Sequence, residues 1–541
     1  MIRTKLTVAV LLTLMVPSAR AQEHQHGNGA KLGTVHFATS CNEAAQPEFN
    51  RAVALLHSFQ FSHAIEGFNR VLGEDATCGI AYWGIALSDW SNPFAPGMKD
   101  QTQLQAGRVS ADRGKSAGAK TDRERAYIAA VGKLYCDYQT TSQRARLIAY
   151  RDDMGELATR YPEDHEAQIF YALALAASED PADKTYADRL KAGAILERVF
   201  AEEPNHPGAA HYIIHTYDVP ALADRALVAA RRYSEIAPDA PHALHMPSHT
   251  FTRTGYWQES IDSNIAAAAA ARREGQTSEE LHASDYEIYA YLQTGQDQAA
   301  KSLANSLPEI ASRFDPRVVI SGAGPPSAGY FALAAIPARY ALERQDWKQA
   351  AQLTLRETPF PYTDAITWFA RGLAAARLGQ ATKANESAAA LQQIRVRLLK
   401  SDETYWALQA QIQELAVRAW AALADGKNDD ALHQINTAAE LEDATEKSAV
   451  TPGPLAPARE LLGEMLLQTN QPAQALEQFE AALKNEPGRF RALYGAAHAA
   501  QLSGNREVSQ RYFRELLKVC VHSDKPARPE LVEAEQAISQ N

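Results

Sequence analysis

Residues 461–487 read LLGEMLLQTNQPAQALEQFEAALKNEP, and residues 495–521, one step of 34 further on, read GAAHAAQLSGNREVSQRYFRELLKVCV. Leu462-Gly463, Leu466, Ala475, Phe479, Ala482 and Pro487 follow the spacing of one helix-turn-helix unit. Ala496-Ala497, Ala500, Ser509, Phe513 and Leu516 occupy the same stations in the next, with Phe479 and Phe513 one period apart. Small residues let two helices approach closely, while the larger ones plug between them and the next unit. One such unit cannot bury its own apolar face, so the pattern predicts a stacked array.

The signature recurs outward from this stretch, with Ala52, Ala64 and Phe68, with Ala226 and Pro238, with Gly372 and Ala384, and with Ala419 and Ala431. On these residues the chain resembles the tetratricopeptide repeat (TPR) family over most of 45–520. Around Val35 to Ser58 and His242 to Trp257 it resembles secreted bacterial repeat proteins of undefined role. The resemblance implies an all-α, right-handed superhelical solenoid, and roughly nine to eleven helix pairs are expected from the pattern. The expected layout is a signal peptide over 1–21 and a lead-in over 22–44. A first array over 45–312 follows, then a Gly/Pro loop over 313–329, a second array over 330–520 and a tail over 521–541. Asn92 to Asp122, with Pro93, Pro96 and several glycines, reads as a second long loop. Pro and Gly density over Asp315 to Gly329, with Gly322-Ala323-Gly324-Pro325-Pro326, is expected to exclude helix there.

The N-terminus carries Arg3 and Lys5, an apolar run from Leu6 to Val16, and the small-x-small site Ala19-Arg20-Ala21. This is the pattern of a secretory signal. No cysteine at the cleavage point suggests a lipid anchor, and no later run is long and apolar enough to span a membrane. Export is therefore expected, to the periplasm in preference to the extracellular medium. A net charge of −11 without a Lys/Arg cluster argues against nucleic acid as a partner. Of four cysteines, Cys41 and Cys78 each precede the first helix of successive repeats and are the expected disulfide; Cys136 and Cys520 read as buried thiols.

Seven of sixteen histidines lie between His206 and His282. His211 and His215 are four apart on a predicted helix and so project from one face, as do His245 and His249. The pairs are separated by 34 residues, one repeat, and the resemblance places such stations on the inner, ligand-facing side of the array. Counting back from the turn glycines Gly255 and Gly295 aligns His242 with His282, His245 with Asp285 and His249 with Tyr289; Asp218 falls on the inner stripe of the first helix. Imidazoles facing one another between packed helices suit zinc, copper(II) or iron(II), with Asp218 or Asp285 as ligand, orienting partner or general base.

Other signals are weaker. Gln22-Glu23-His24 would suit Cu(II) or Ni(II) at a free amino terminus. Tyr82-Trp83 and Trp90 read as packing residues, and His57 as an isolated histidine. No phosphate loop, G-x-S-x-G elbow, H-E-x-x-H or C-x-x-C occurs, which lowers NTPase, hydrolase, standard metalloprotease and thioredoxin chemistry. Two functions remain open. One is an exported scaffold binding a peptide, protein or envelope ligand in its groove, with or without a His-bound ion. The other is a metal-dependent enzyme built on His211, His215, His245 and His249.

Overall fold

The computed structural model describes residues 29–539. The leader at 1–21 and the Gln22-Glu23-His24 motif lie outside them. From residue 31 onward the chain is one compact unit. Among the described residues its helices pair as twelve consecutive hairpins, counting the broken Pro241–His245/Pro247–Thr254 helix as one. The first pairs Gln46–His57 with Phe61–Glu74, the last pairs Phe490–Leu502 with Arg506–Val519, and Pro529–Ser539 closes the array.

The packing follows the small-and-large logic of the repeat. Phe479 is 1% exposed, and its ring fills the space between Gly463 and Gly495. A methyl group on either glycine would lie 2.8 or 2.4 Å from that ring. At the turns within hairpins, Gly255 and Gly295 take positive φ values of 75° and 69°, a conformation that closes a helix at little cost only for glycine.

Three segments differ from expectation. Residues 92–122 contain the helix Gln101–Ala117, which raises the hairpin count above eleven. Asp100 caps it through the backbone N–H groups of Thr102 and Gln103. Its glycines serve packing: the ring of Tyr135 lies where a side chain at Gly107 would be. Second, the chain after 521 carries the helix Pro529–Ser539, tied in through Arg491–Glu530 and Tyr494–Glu533. Third, Cys136 is exposed, whereas Cys520 is buried. Cys41 and Cys78 are joined by a disulfide, with Cα atoms 5.0 Å apart.

Two irregular segments turn inward and cover the repeats that carry the histidines. In the Gly/Pro loop, the carbonyl oxygens of Ser321 and Ala323 accept from Ser62 N–H and Asn92 Nδ2. Contrary to expectation, helix resumes inside this stretch at Pro326, because a proline in the first turn of a helix forfeits no hydrogen bond. Residues 444–457 run across the helices Thr277–Gln293 and Pro326–Glu343. Tyr286 Oη donates to this segment, meeting Ala449 O at 2.9 Å and Thr451 O at 3.1 Å, and Arg339 donates to Gly453 O.

Candidate metal centre

Three successive hairpins bring six imidazoles together. His211 and His215 stand on Pro207–Thr216, His242 and His245 on Pro241–His245, His249 on Pro247–Thr254, and His282 on Thr277–Gln293. All six are buried, His211 and His245 completely. Their nitrogens form two sets, His211/His215/His242 and His245/His249/His282, each with ligand atoms within 4.8 Å of one another. The sets adjoin, with ring centroids 5.8 Å apart for both His215–His249 and His242–His245.

The hydrogen bonds decide where the protons sit. His211 Nδ1 lies 2.6 Å from the carbonyl oxygen of His57, which can only accept, so Nδ1 carries the proton and Nε2 a lone pair. His242 Nδ1 donates to Glu279 Oε1 at 2.8 Å. The Nε2 atoms of His211, His215 and His242 are buried without any hydrogen-bond partner. Buried polar atoms are normally satisfied, and three orphans facing one another call for a shared occupant.

The second set is more constrained. Asn264 Nδ2 donates to Ser260 O, so its Oδ1 is the atom that meets His245 Nδ1 at 2.7 Å and accepts from it. His249 Nδ1 donates to Asp218 Oδ2 at 3.0 Å. Both protons are thus committed, yet the two Nε2 atoms lie 3.1 Å apart. Two lone pairs at that distance repel unless a cation lies between them. Two nitrogens about 2.0–2.1 Å from one tetrahedral or octahedral ion stand about 3 Å apart. The His282 ring approaches that of His245 at 4.5 Å and completes the set.

Burial keeps five of the six imidazoles neutral. It pushes His211, His215 and His245 well below the usual histidine value, His249 down to about 4 and His282 to about 3. Burial opposes ionisation of Asp218, but Lys447, His249 and Arg253 together hold its carboxyl well below the usual range. Asp218 is therefore an ionised partner orienting His249, shared with Arg253 at 3.0 Å and Lys447 at 3.0 Å.

Asp285 and Tyr289, expected beside the histidines, face elsewhere. Asp285 pairs with Arg339 at 2.8 Å, and Tyr289 accepts from Arg489 at 3.0 Å. Tyr286 instead packs on His249 and His245, with centroids at 4.7 and 4.8 Å. Neighbouring helices meet about one helical turn out of the register that the turn glycines mark, so His282 and Tyr286 face His245 and His249. Sequence reasoning also missed Asn264 and Glu279, whose only signal is a polar side chain on a helix face otherwise packed.

His57 is not isolated. With Glu166 and His206 it forms a third buried cluster. His206 caps its helix by accepting from Ala209 N–H, which leaves Nε2–H to donate to Glu166 at 3.0 Å. His57 Nε2 donates to Glu166 at 2.8 Å while Nδ1 meets the Tyr212 hydroxyl at 3.1 Å. Every nitrogen there is used, and the cluster has no free ligand atom.

The fold is an all-α array of helix-turn-helix repeats. No family model matches the chain, and no curated protein matches it. Among solved structures it is similar to a human IFIT1 dimer with m7Gppp-AAAA, at 10% identity and a TM-score of 0.36, covering 82% of this chain and 90% of that one. It is also similar to the TPR domain of P58(IPK), at 14% identity and a TM-score of 0.22, covering 70% and 99%. No helix among the described residues is long and apolar enough to cross a membrane.

Proposed function

We propose that this protein is a metalloprotein whose hairpin array encloses two adjacent three-imidazole sites, each holding one transition-metal ion. The observation that carries the reading is the facing pair of unprotonated Nε2 atoms on His245 and His249, 3.1 Å apart. The three partnerless Nε2 atoms of the neighbouring set support it. Oriented, neutral imidazoles suit zinc, copper(II) or iron(II). Glu279, Asp218 and Asn264 serve as the outer partners that fix ring orientation and raise ligand basicity. Three ligands leave a coordination position open, where an ion acts as Lewis acid or activates water, and a metal-dependent enzyme follows from that. Export belongs to the same proposal: it draws on the leader at 1–21 and on the Cys41–Cys78 disulfide, a bond that persists in oxidising compartments. A peptide, protein or envelope ligand gripped along these repeats has less support, because the chain's own 444–457 segment covers them.

Elemental analysis of the protein purified without a histidine tag tests the reading. Two ions per chain are expected, one after His211, His215 and His242 are all changed to alanine, one after the same change at His245, His249 and His282, and none after both. Circular dichroism should show the helices intact throughout. A wild-type chain that retains no zinc, copper or iron after incubation and dialysis would sink the proposal.

A further inference from the structure

The two segments that turn inward each rest on an outer partner of a different imidazole set. In 444–457, Lys447 Nζ donates to Asp218 Oδ2 at 3.0 Å, the same oxygen that accepts from His249 Nδ1. The carbonyl oxygens of Ala449 and Thr451 accept from Tyr286, whose ring lies 4.7 Å from that of His249. In the Gly/Pro loop, Gly324 lies against Glu279, the acceptor of His242 Nδ1. A methyl group at Gly324 would stand 2.9 Å from Glu279 N and 3.0 Å from its Oε2, so the loop fits there only without a side chain.

Without an ion, neither set is satisfied. The lone pairs of His245 and His249 face each other at 3.1 Å, and the Nε2 atoms of His211, His215 and His242 are buried without partners. Turning the rings relieves either conflict, but a turned ring takes its Nδ1–H away from Asp218 or Glu279. The surfaces under the two segments then shift: Asp218 and the Tyr286 ring beneath 444–457, and Glu279 beneath the loop. An ion in each set removes the conflict and fixes the rings, which favours the closed arrangement. Coupling of this kind is reciprocal, so a closed segment in turn binds its ion more tightly.

We infer that the two segments are separate latches, each fastened by one ion and slowing the release of that ion. Residues 444–457 answer to the ion held by His245, His249 and His282, and residues 313–329 to the ion held by His211, His215 and His242. The inference rests on the two-ion reading.

Hydrogen exchange of the full-length protein, with ions counted in the same sample, tests it. Removing both ions with a chelator should raise amide exchange in both segments by about tenfold, near the worth of one hydrogen bond in local opening. Changing His245, His249 and His282 to alanine should open 444–457 alone, and changing His211, His215 and His242 should open 313–329 alone. Two single changes read the same coupling from the other side without deleting a ligand. Tyr286→Phe removes the hydroxyl that holds the Ala449 and Thr451 carbonyls but keeps the ring, and Gly324→Ala pushes the loop off Glu279. Each should speed the transfer of one ion to a chelator by about tenfold and leave the other at the wild-type rate, and the double variant should release both ions fast. Segments that exchange alike with and without ions, segments that both open when either set is lost, or release rates indifferent to both single changes overturn the inference and leave the metal reading standing. A wild-type sample with no ions fails the metal reading first, and this one falls with it.

Discussion

Glu166 and Glu279 do the same local job in two parts of the array, each accepting the ring N–H of a buried histidine. Glu166 holds both His57 and His206, and the other nitrogens of those rings meet Tyr212 Oη and Ala209 N–H. Glu279 holds His242 alone, and the far nitrogen of that ring joins two other orphans. Both clusters bring ligand atoms within 4.8 Å of one another. Proximity of imidazole and carboxylate therefore does not distinguish an architectural cluster from a metal site; the inventory of protons does. Where every nitrogen is spent, the cluster stabilises the fold. Where lone pairs converge, it awaits a cation.

Acid should separate the two regions most strongly. Burial holds His249 near 4 and His282 near 3, below the value of about 6.5 of an unfolded histidine. Above pH 6.5 these groups cost nothing. As pH falls below it, the unfolded chain takes up protons that the folded one refuses, and each group removes about 1.4 kcal/mol of stability per pH unit. Over two units the pair removes about 5 kcal/mol. Glu166 acts in the same direction but in a lower window: burial opposes its ionisation, but His57 and His206 hold it below the ordinary value. Its contribution is present above about pH 4.3 and is lost only as pH falls towards its own lower value. Urea unfolding of chelator-treated protein between pH 6.5 and 4.5 reads the slope, and the variant lacking all six site histidines should flatten most of it. A flat wild-type profile would break the distinction.

Removing the carboxylates sharpens it further. Glu166→Ala leaves two buried imidazole N–H groups unpaired and should cost about 3–5 kcal/mol in urea unfolding, with the ion count unchanged. Loss of ions instead would make the His57 cluster part of the metal centre. Glu279→Gln is expected to do the reverse, weakening one ion about 10–100-fold in competition with a chelator while stability without metal barely moves. An unchanged affinity would show that Glu279 does not orient His242.

Much of this was legible in the residues themselves. The step of 34 between Phe479 and Phe513 gave the repeat, and the same step between His211 and His245 placed two imidazole pairs on equivalent faces. The helix at Gln101–Ala117 escaped because Gly107 and Gly114 lower helix propensity, while the packing that repays them comes from other helices, such as the Tyr135 ring at Gly107. Asp285 and Tyr289 were misplaced because neighbouring helices pack about one turn out of the register that the turn glycines mark, an offset that spacing along one helix does not carry. His57 looked isolated because its partners Glu166 and His206 lie more than a hundred residues along the chain.

By itself, then, the sequence determined the helical period, the hairpin stacking and which histidines share a face, all of which depend on spacing within a few dozen residues. Only the tertiary structure decided which imidazoles converge, which nitrogens keep their protons and which segment covers the site. A proton on a buried ring is placed by the acceptor that meets it. Here those acceptors, the His57 carbonyl, Asn264, Asp218 and Glu279, arrive from 19 to 154 residues away.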